Sequence, residues 1–161
     1  MMPAASAETF HPRVLAHVGD SVFEIWVRDM GARAQPQATA VQMHRFTTQR
    51  VSASAQVALM AALADWLETW LTPDETDLMR RARNLTLTTQ RRQQQQKHRQ
   101  ATALEALLGW WHFYAPQRLA AFYAQAQPYV LAGPAEAATA ADGNTPRQRK
   151  NDRPGGHSPV F

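Results

Sequence analysis

The chain is 161 residues long, 45% hydrophobic and 19% charged, with a net charge of +4 from 17 basic and 13 acidic residues. That is one domain's worth of sequence, with ample apolar material for a core. It contains no cysteine, which excludes a disulfide scaffold, a thiolate zinc site and a cysteine nucleophile. No apolar run reaches bilayer length and no basic-then-apolar leader opens the chain, so the expectation is a soluble, unprocessed protein.

Residues 1–10 read as a flexible N-terminal arm. Pro12 suits the first turn of a helix and Gly31 its end. Between them Val14, Leu15, Val18, Val22 and Ile25 fall on one stripe at helical spacing. Gln37 to Arg50 reads as a second helix. Ser52 or Ser54 can cap a third, which runs to Trp70. Thr72-Pro73-Asp74-Glu75 is a capping box with proline at the first helical position, and opens a fourth helix ending near Asn84. Residues 85–96 are rich in Thr and Gln and read as loop, at least in part. A fifth helix is expected from near His98 to Tyr114, and a sixth from Pro116 to just before Gly133. The last 29 residues, 133–161, hold 4 of the 7 glycines, 4 of the 10 prolines and the basic run Arg147, Arg149, Lys150, Arg153. They show no apolar period and read as a disordered basic tail. No β alternation persists, so the expected fold is an all-α helical bundle over residues 11–132.

The charge is unevenly placed. Residues 80–99 carry Arg80, Arg81, Arg83, Arg91, Arg92, Lys97 and Arg99 with no acid, or +7, while the tail carries +1 and the remainder −4. A solvated helix face usually mixes signs. A one-signed segment favours contact with a polyanion.

Two acids sit where charge is expensive. The first helix is apolar nearly all round: Ala16, Phe23 and Val27 lie opposite the main stripe, with Trp26 on the flank. Such a helix is buried on more than one side, by its own domain or by a second subunit. Asp20 lies among these residues and needs a basic partner, a proton or a metal ion. The fifth helix repeats the pattern. Leu104, Leu107, Leu108 and Trp111 form its stripe, and Glu105 lies to one side with Thr102, His98 and His112. Gly19 and Gly109 sit within a turn of the two acids and invite close approach of a backbone or ligand. The pair suits a magnesium site, since magnesium takes oxygen ligands and often only one or two carboxylates. Pairing with arginines is the alternative. Glu24 could join Asp20, but its spacing to Arg28 favours a helical ion pair. The histidines form no metal-ligand pattern, and the five tryptophans suit a core better than a base-stacking platform.

Leu15-Ala-His-Val-Gly-Asp20-Ser-Val-Phe-Glu24 resembles the signature helix of the ribonuclease III family, in the form used by its short branch. Ala101-Thr-Ala-Leu-Glu105-Ala-Leu-Leu-Gly109 is similar to the family's second acidic helix. Arg80-Arg-Ala-Arg-Asn84 matches a basic stretch of the short branch. The resemblance spans about residues 11–126. It implies an all-helical homodimeric endonuclease that cuts double-stranded RNA with magnesium and leaves 5′-phosphate and 3′-hydroxyl ends. It also implies no separate double-stranded-RNA-binding domain. The branch trims the ends of large-subunit (23S) ribosomal RNA precursors, so a cytoplasmic location is implied, and a ribosomal protein or pre-ribosome is a candidate partner. Asp20 and Glu105 fall on the family's metal-binding catalytic acids. Two further acids of full-length members are replaced here by Ala16 and Thr102, as in the short branch, which leaves fewer protein ligands. His17 stands where the branch usually has an aromatic residue near the subunit contact. The segment from Asn84 to His98 is Gln- and Arg-rich where Lys and Pro are usual.

The expected mechanism has Asp20 and Glu105 holding magnesium and an activated water attacking a backbone phosphorus. Arg80, Arg81, Arg83, Asn84, Arg91, Arg92, Lys97 and Arg99 would contact phosphates and sugars across a minor groove. Two rivals keep the same sequence features. One is a non-catalytic double-stranded-RNA-binding or ribosome-assembly protein on the same fold. The other is a helical interaction protein whose basic segment meets an acidic partner.

Overall fold

A computed structural model describes residues 10–85 and 92–133. The expected arm (save Phe10), the expected tail (save Gly133), Arg91 and the Arg92 side chain lie outside the described residues. The described residues form seven helices and no strand: α1 (Pro12–Ala34), α2 (Ala40–Val51), α3 (Ala53–Ala62), α4 (Ala64–Trp70), α5 (Pro73–Arg83), α6 (Arg92–Tyr114) and α7 (Pro116–Ala132). The all-α expectation holds. α6 is the central rod, with α1 along most of one side and α3, α5 and α7 packed around the rest.

Local sequence sets most of the boundaries. Thr72 caps α5 through the capping box with Glu75. Thr39 and Gln42 form a second such box at the start of α2, which begins at Ala40 rather than Gln37. α1 runs through Gly31 to Ala34 and stops before Pro36, which restricts the residue ahead of it and lacks a donor. Gly31 is therefore not a terminator. It is buried, and a Cβ there would stand 2.6 Å from the Phe46 ring. The expected third helix is two, broken at Leu63, whose side chain is drawn into the core at 5% exposure. α6 starts at Arg92, not near His98, since Gln, Lys and Arg are sound helix formers even in a low-complexity run. Phe10, assigned to the arm, stacks 4.8 Å from Phe113.

The core stripe of α1 differs from the one expected. Leu15, Ala16, Gly19, Phe23, Val27 and Met30 are buried, while Val14 and Ile25 are 45% and 68% exposed. Both faces of this helix are apolar, so periodicity alone could not rank them. The glycines decide. A Cβ on Gly19 would fall inside the Glu105 carbonyl, and one on Gly109 inside the carbonyl of Leu15. The helices cross backbone to backbone, which turns the Gly19 face of α1 inward.

The core is Leu15, Phe23, Val27, Leu104, Leu107, Leu108, Trp111 and Phe122, each at 1% exposure or less. A buried polar hub ties its lower edge. Glu75, 4% exposed, accepts from Trp111 Nε1 at 2.7 Å and from Arg118 Nε at 2.5 Å and Nη2 at 2.7 Å. Arg118 also lies over the Trp70 ring at 3.9 Å. This acid is fully compensated, as a buried charge must be. At the other end, Arg50 donates to the carbonyls of Val130 and Leu131, which α7 leaves unpaired at its C-terminus.

Substituting either crossing glycine should be costly. Gly19→Ala or Gly109→Ala is expected to destabilise the fold by about 3 kcal/mol or more, the upper range of overpacking, because a rigid carbonyl blocks the methyl group. Gly31→Ala should cost less, since the Phe46 ring can rotate away. Urea denaturation of the three variants measures this.

Candidate active site

The crossing of α1 and α6 sets the site. Asp20 follows Gly19 on α1, and Glu105 supplies the carbonyl on which Gly19 rests. The two acids line one open cleft of about 310 Å³ with Arg13, Ala16, His17, Ala82, Leu85, Arg99 and Thr102. Acids far apart in sequence thus share one concavity. Ala16 and Thr102 are part of its wall, and neither brings a further carboxylate.

The cleft makes both acids reluctant to ionise. Burial pushes the Glu105 carboxyl up to about 7; a hydrogen bond from Gln56 opposes the shift and the Asp20 charge adds to it. Asp20 stands exposed at the cleft's rim rather than in the buried setting its helix suggests; its carboxyl is also raised, chiefly by partial desolvation, then by the charge of Glu24, with His17 pulling the other way. Among the described residues neither acid forms an ion pair; the pairs run between Arg28 and Glu24, Arg33 and Asp29, Arg80 and Arg81 with Asp77, and Arg118 and Glu75. Among the described residues arginine pairing is seen at Glu75. Glu24 takes the helical ion pair, at 2.6 Å.

The structure sorts the expected basic residues. Arg99 lines the cleft. Arg83, Asn84 and Lys97 are exposed, Lys97 lying 3.4 Å from Ser54 Oγ. Arg80 and Arg81 both engage Asp77, an acid just ahead of the basic segment. Such surface pairs are worth little, so both arginines can exchange Asp77 for a phosphate. Arg13 also lines the cleft and sequence reasoning missed it, although it precedes Asp20 by two helical turns on the same face. Gln56 was missed as well. It sits in an apolar stretch of α3, where sequence cannot tell a buried amide from a solvated one. His98 and His112 are exposed and line no part of the cleft. Trp111 is buried and the other four tryptophans pack half-buried against the core.

Perturbed acids in a cleft, with no ion pair to either among the described residues, make this cleft the candidate functional site. No group of three or more His, Cys, Asp or Glu gathers among the described residues. Two carboxylates are what the cleft offers, and that donor set fits a hard divalent cation that keeps most of its water. The same cleft presents Arg13 and Arg99, which can hold a phosphate's charge.

Comparison with known proteins identifies the class of protein that carries this fold and cleft. A Ribonuclease III domain model matches residues 13–115. The chain belongs to the ribonuclease III family, and it is an endoribonuclease. Its relatives place it in the Mini-ribonuclease 3 branch. Mini-ribonuclease 3 of Synechococcus sp. is 34% identical over 121 residues, covering 75% of this chain and 83% of that protein. Mini-ribonuclease 3 of Gloeobacter violaceus is 42% identical over 96 residues, covering 60% and 67%. A crystal structure of a protein from Fusobacterium nucleatum superposes with a TM-score of 0.56 at 22% identity, covering 69% of this chain and 85% of that one, a likeness of fold.

The raised Glu105 acidity sets a pH dependence. Its folded value of about 7 lies above the ordinary 4.5, so the folded state holds this proton more tightly than the unfolded chain. Stability from this group is complete below about 4.5 and is lost as pH rises through about 7. Melting temperature in a metal chelator is expected to fall over that interval, and Glu105→Gln should flatten the decline.

Proposed function

We propose that this endoribonuclease is magnesium-dependent, acts on double-stranded RNA at the ends of the large-subunit ribosomal RNA precursor, and works as a homodimer in the cytoplasm. The observation that carries the reading is the pair of Asp20 and Glu105, without an ion pair among the described residues, in one cleft with Arg13 and Arg99. Asp20 and Glu105 are the catalytic and metal-holding residues in this reading. A magnesium ion held there supplies a water of lowered pKa and offsets charge developing on a phosphate. The ion would also draw Glu105 into its ionised form, for which burial alone leaves it poorly disposed.

The protein's own contribution is positioning. Arg13 and Arg99 would hold the phosphate beside the acids. Arg80, Arg81, Arg83, Asn84, Arg91, Arg92 and Lys97 would extend that contact along the backbone. Duplex RNA is recognised by shape and by phosphate and 2′-hydroxyl contacts, and the exposed Arg80, Arg83 and Arg99 suit that recognition. Hydrolysis would leave 5′-phosphate and 3′-hydroxyl ends. Among the described residues no helix is long and apolar enough to cross a membrane.

The outer face of α1 supports the dimer. Val14 and Ile25 are exposed, with Val18 and Val22 half-buried beside them. That apolar strip continues along the helix that carries Asp20. A second copy of α1 would cover it, and twofold symmetry would give the pair two sites, one for each RNA strand.

Asp20→Asn keeps the shape of the side chain and removes its charge. It is expected to slow cleavage of a duplex RNA in magnesium by at least about two orders of magnitude, roughly 3 kcal/mol of transition-state stabilisation. Full activity in this variant would sink the site assignment. Ile25→Asp is expected to convert a dimer to monomers in analytical ultracentrifugation, with helical content retained.

A further inference from the structure

Gln56 is 1% exposed, the most deeply buried polar side chain among the described residues. Its Nε2 donates to Glu105 Oε1 and to the Val51 carbonyl, each at 3.1 Å. A backbone carbonyl can only accept, so the amide cannot turn over, and its nitrogen is held toward Glu105. The Gln56 Oε1 is buried and has no hydrogen-bond partner among the described residues. Packing alone would favour Leu or Met here, since a buried amide with one unmatched end works against stability. The rest of the α3 inner face is apolar, with Leu59 at 5% exposure one turn later.

We propose that Gln56 is a positioning residue for Glu105: its amide engages Oε1, fixes the carboxylate's orientation and leaves Oε2 for the divalent cation shared with Asp20. This rests on the reading of Asp20 and Glu105 as metal-holding acids. The amide is neutral, so it orients the carboxylate without competing for the charge that attracts the metal. An arginine in the same place would neutralise the acid, as Arg118 does for Glu75. The amide's second donor bond, to Val51, anchors it at the junction of α2 and α3. The carboxylate of α6 is thereby referenced to a third part of the fold. Outer partners of this kind orient metal ligands and commonly set metal affinity.

The test uses the full chain with Gln56→Met, which preserves length and removes the amide, Gln56→Leu as a second apolar variant, and Glu105→Gln as the control. Three quantities are read: melting temperature in chelator, binding of magnesium chloride by calorimetry, and the magnesium dependence of duplex RNA cleavage. Both Gln56 variants are expected to melt at or above the parent temperature. Their magnesium affinity should fall by about 10- to 100-fold. KM for the duplex should stay within about twofold while the magnesium needed for half-maximal rate rises, because the loss acts through the metal ligand and not through RNA contact. Parent-like magnesium binding in both variants, with binding lost in Glu105→Gln, would overturn the role of Gln56 while leaving the metal site intact. Failure of both apolar variants to fold would also overturn it, marking Gln56 as structural. If the parent protein itself bound no magnesium, the underlying site reading would fall and this inference with it.

Discussion

The contact on which the rest of the structure depends is the reciprocal crossing of α1 and α6. Each helix puts a glycine where the other presents a carbonyl, so the two backbones meet with no side chain between them. Several features follow from that contact. It chooses which of two apolar faces of α1 enters the core. It leaves the other face at the surface, available to a second subunit. It brings Asp20 alongside Glu105, because each acid is at or next to a residue of the crossing. Widening the crossing by one methyl group would move both acids relative to each other, so here packing and site geometry are a single constraint.

Glu75 and Glu105, the two acids drawn into the interior, are compensated very differently. Glu75 is 4% exposed and meets Arg118, Trp111 and the capping amide of Thr72. Its charge is matched on both oxygens and its task is to hold α5, α6 and α7 together. Glu105 is less buried yet worse served, with one neutral hydrogen bond and a like charge nearby. A protein selected for stability alone would not leave it so. The shortfall is the kind that a cation can make good, and it is confined to the cleft where the arginines also converge.

Much of this was legible in the sequence, for identifiable reasons. Helix starts carried by strong local chemistry were found at once: Pro12, the Thr72–Glu75 box and Pro116 each mark an observed start. Asp20 and Glu105 stood out because a charge in an apolar helix is rare. The rest depended on partners that a single chain does not reveal. The two faces of α1 were equally apolar, so the one facing inward could not be ranked. Gly31 looked like a terminator because a glycine that makes room for Phe46 reads the same as one that ends a helix. The glutamine run 93–96 suggested a loop, although its residues are adequate helix formers. Gln56 was invisible, since its importance lies in what stands opposite it on α6. Arg13 does carry a signal, its two-turn spacing to Asp20 on the same face of α1, although it lies outside the basic segment.

The site has a further property that comes from chain order. Asp20 and Glu105 are 85 positions apart, and the crossing that joins them pairs the first helix with the sixth of the seven described. Local helices can form early, but bringing α1 onto α6 requires closing almost the whole domain, and such non-local contacts are slow to gain. A chain growing from its N-terminus has no second acid until α6 has been made. If the proposed pair is the catalytic one, hydrolytic capacity belongs to the finished fold, since no fragment that ends before α6 contains both acids.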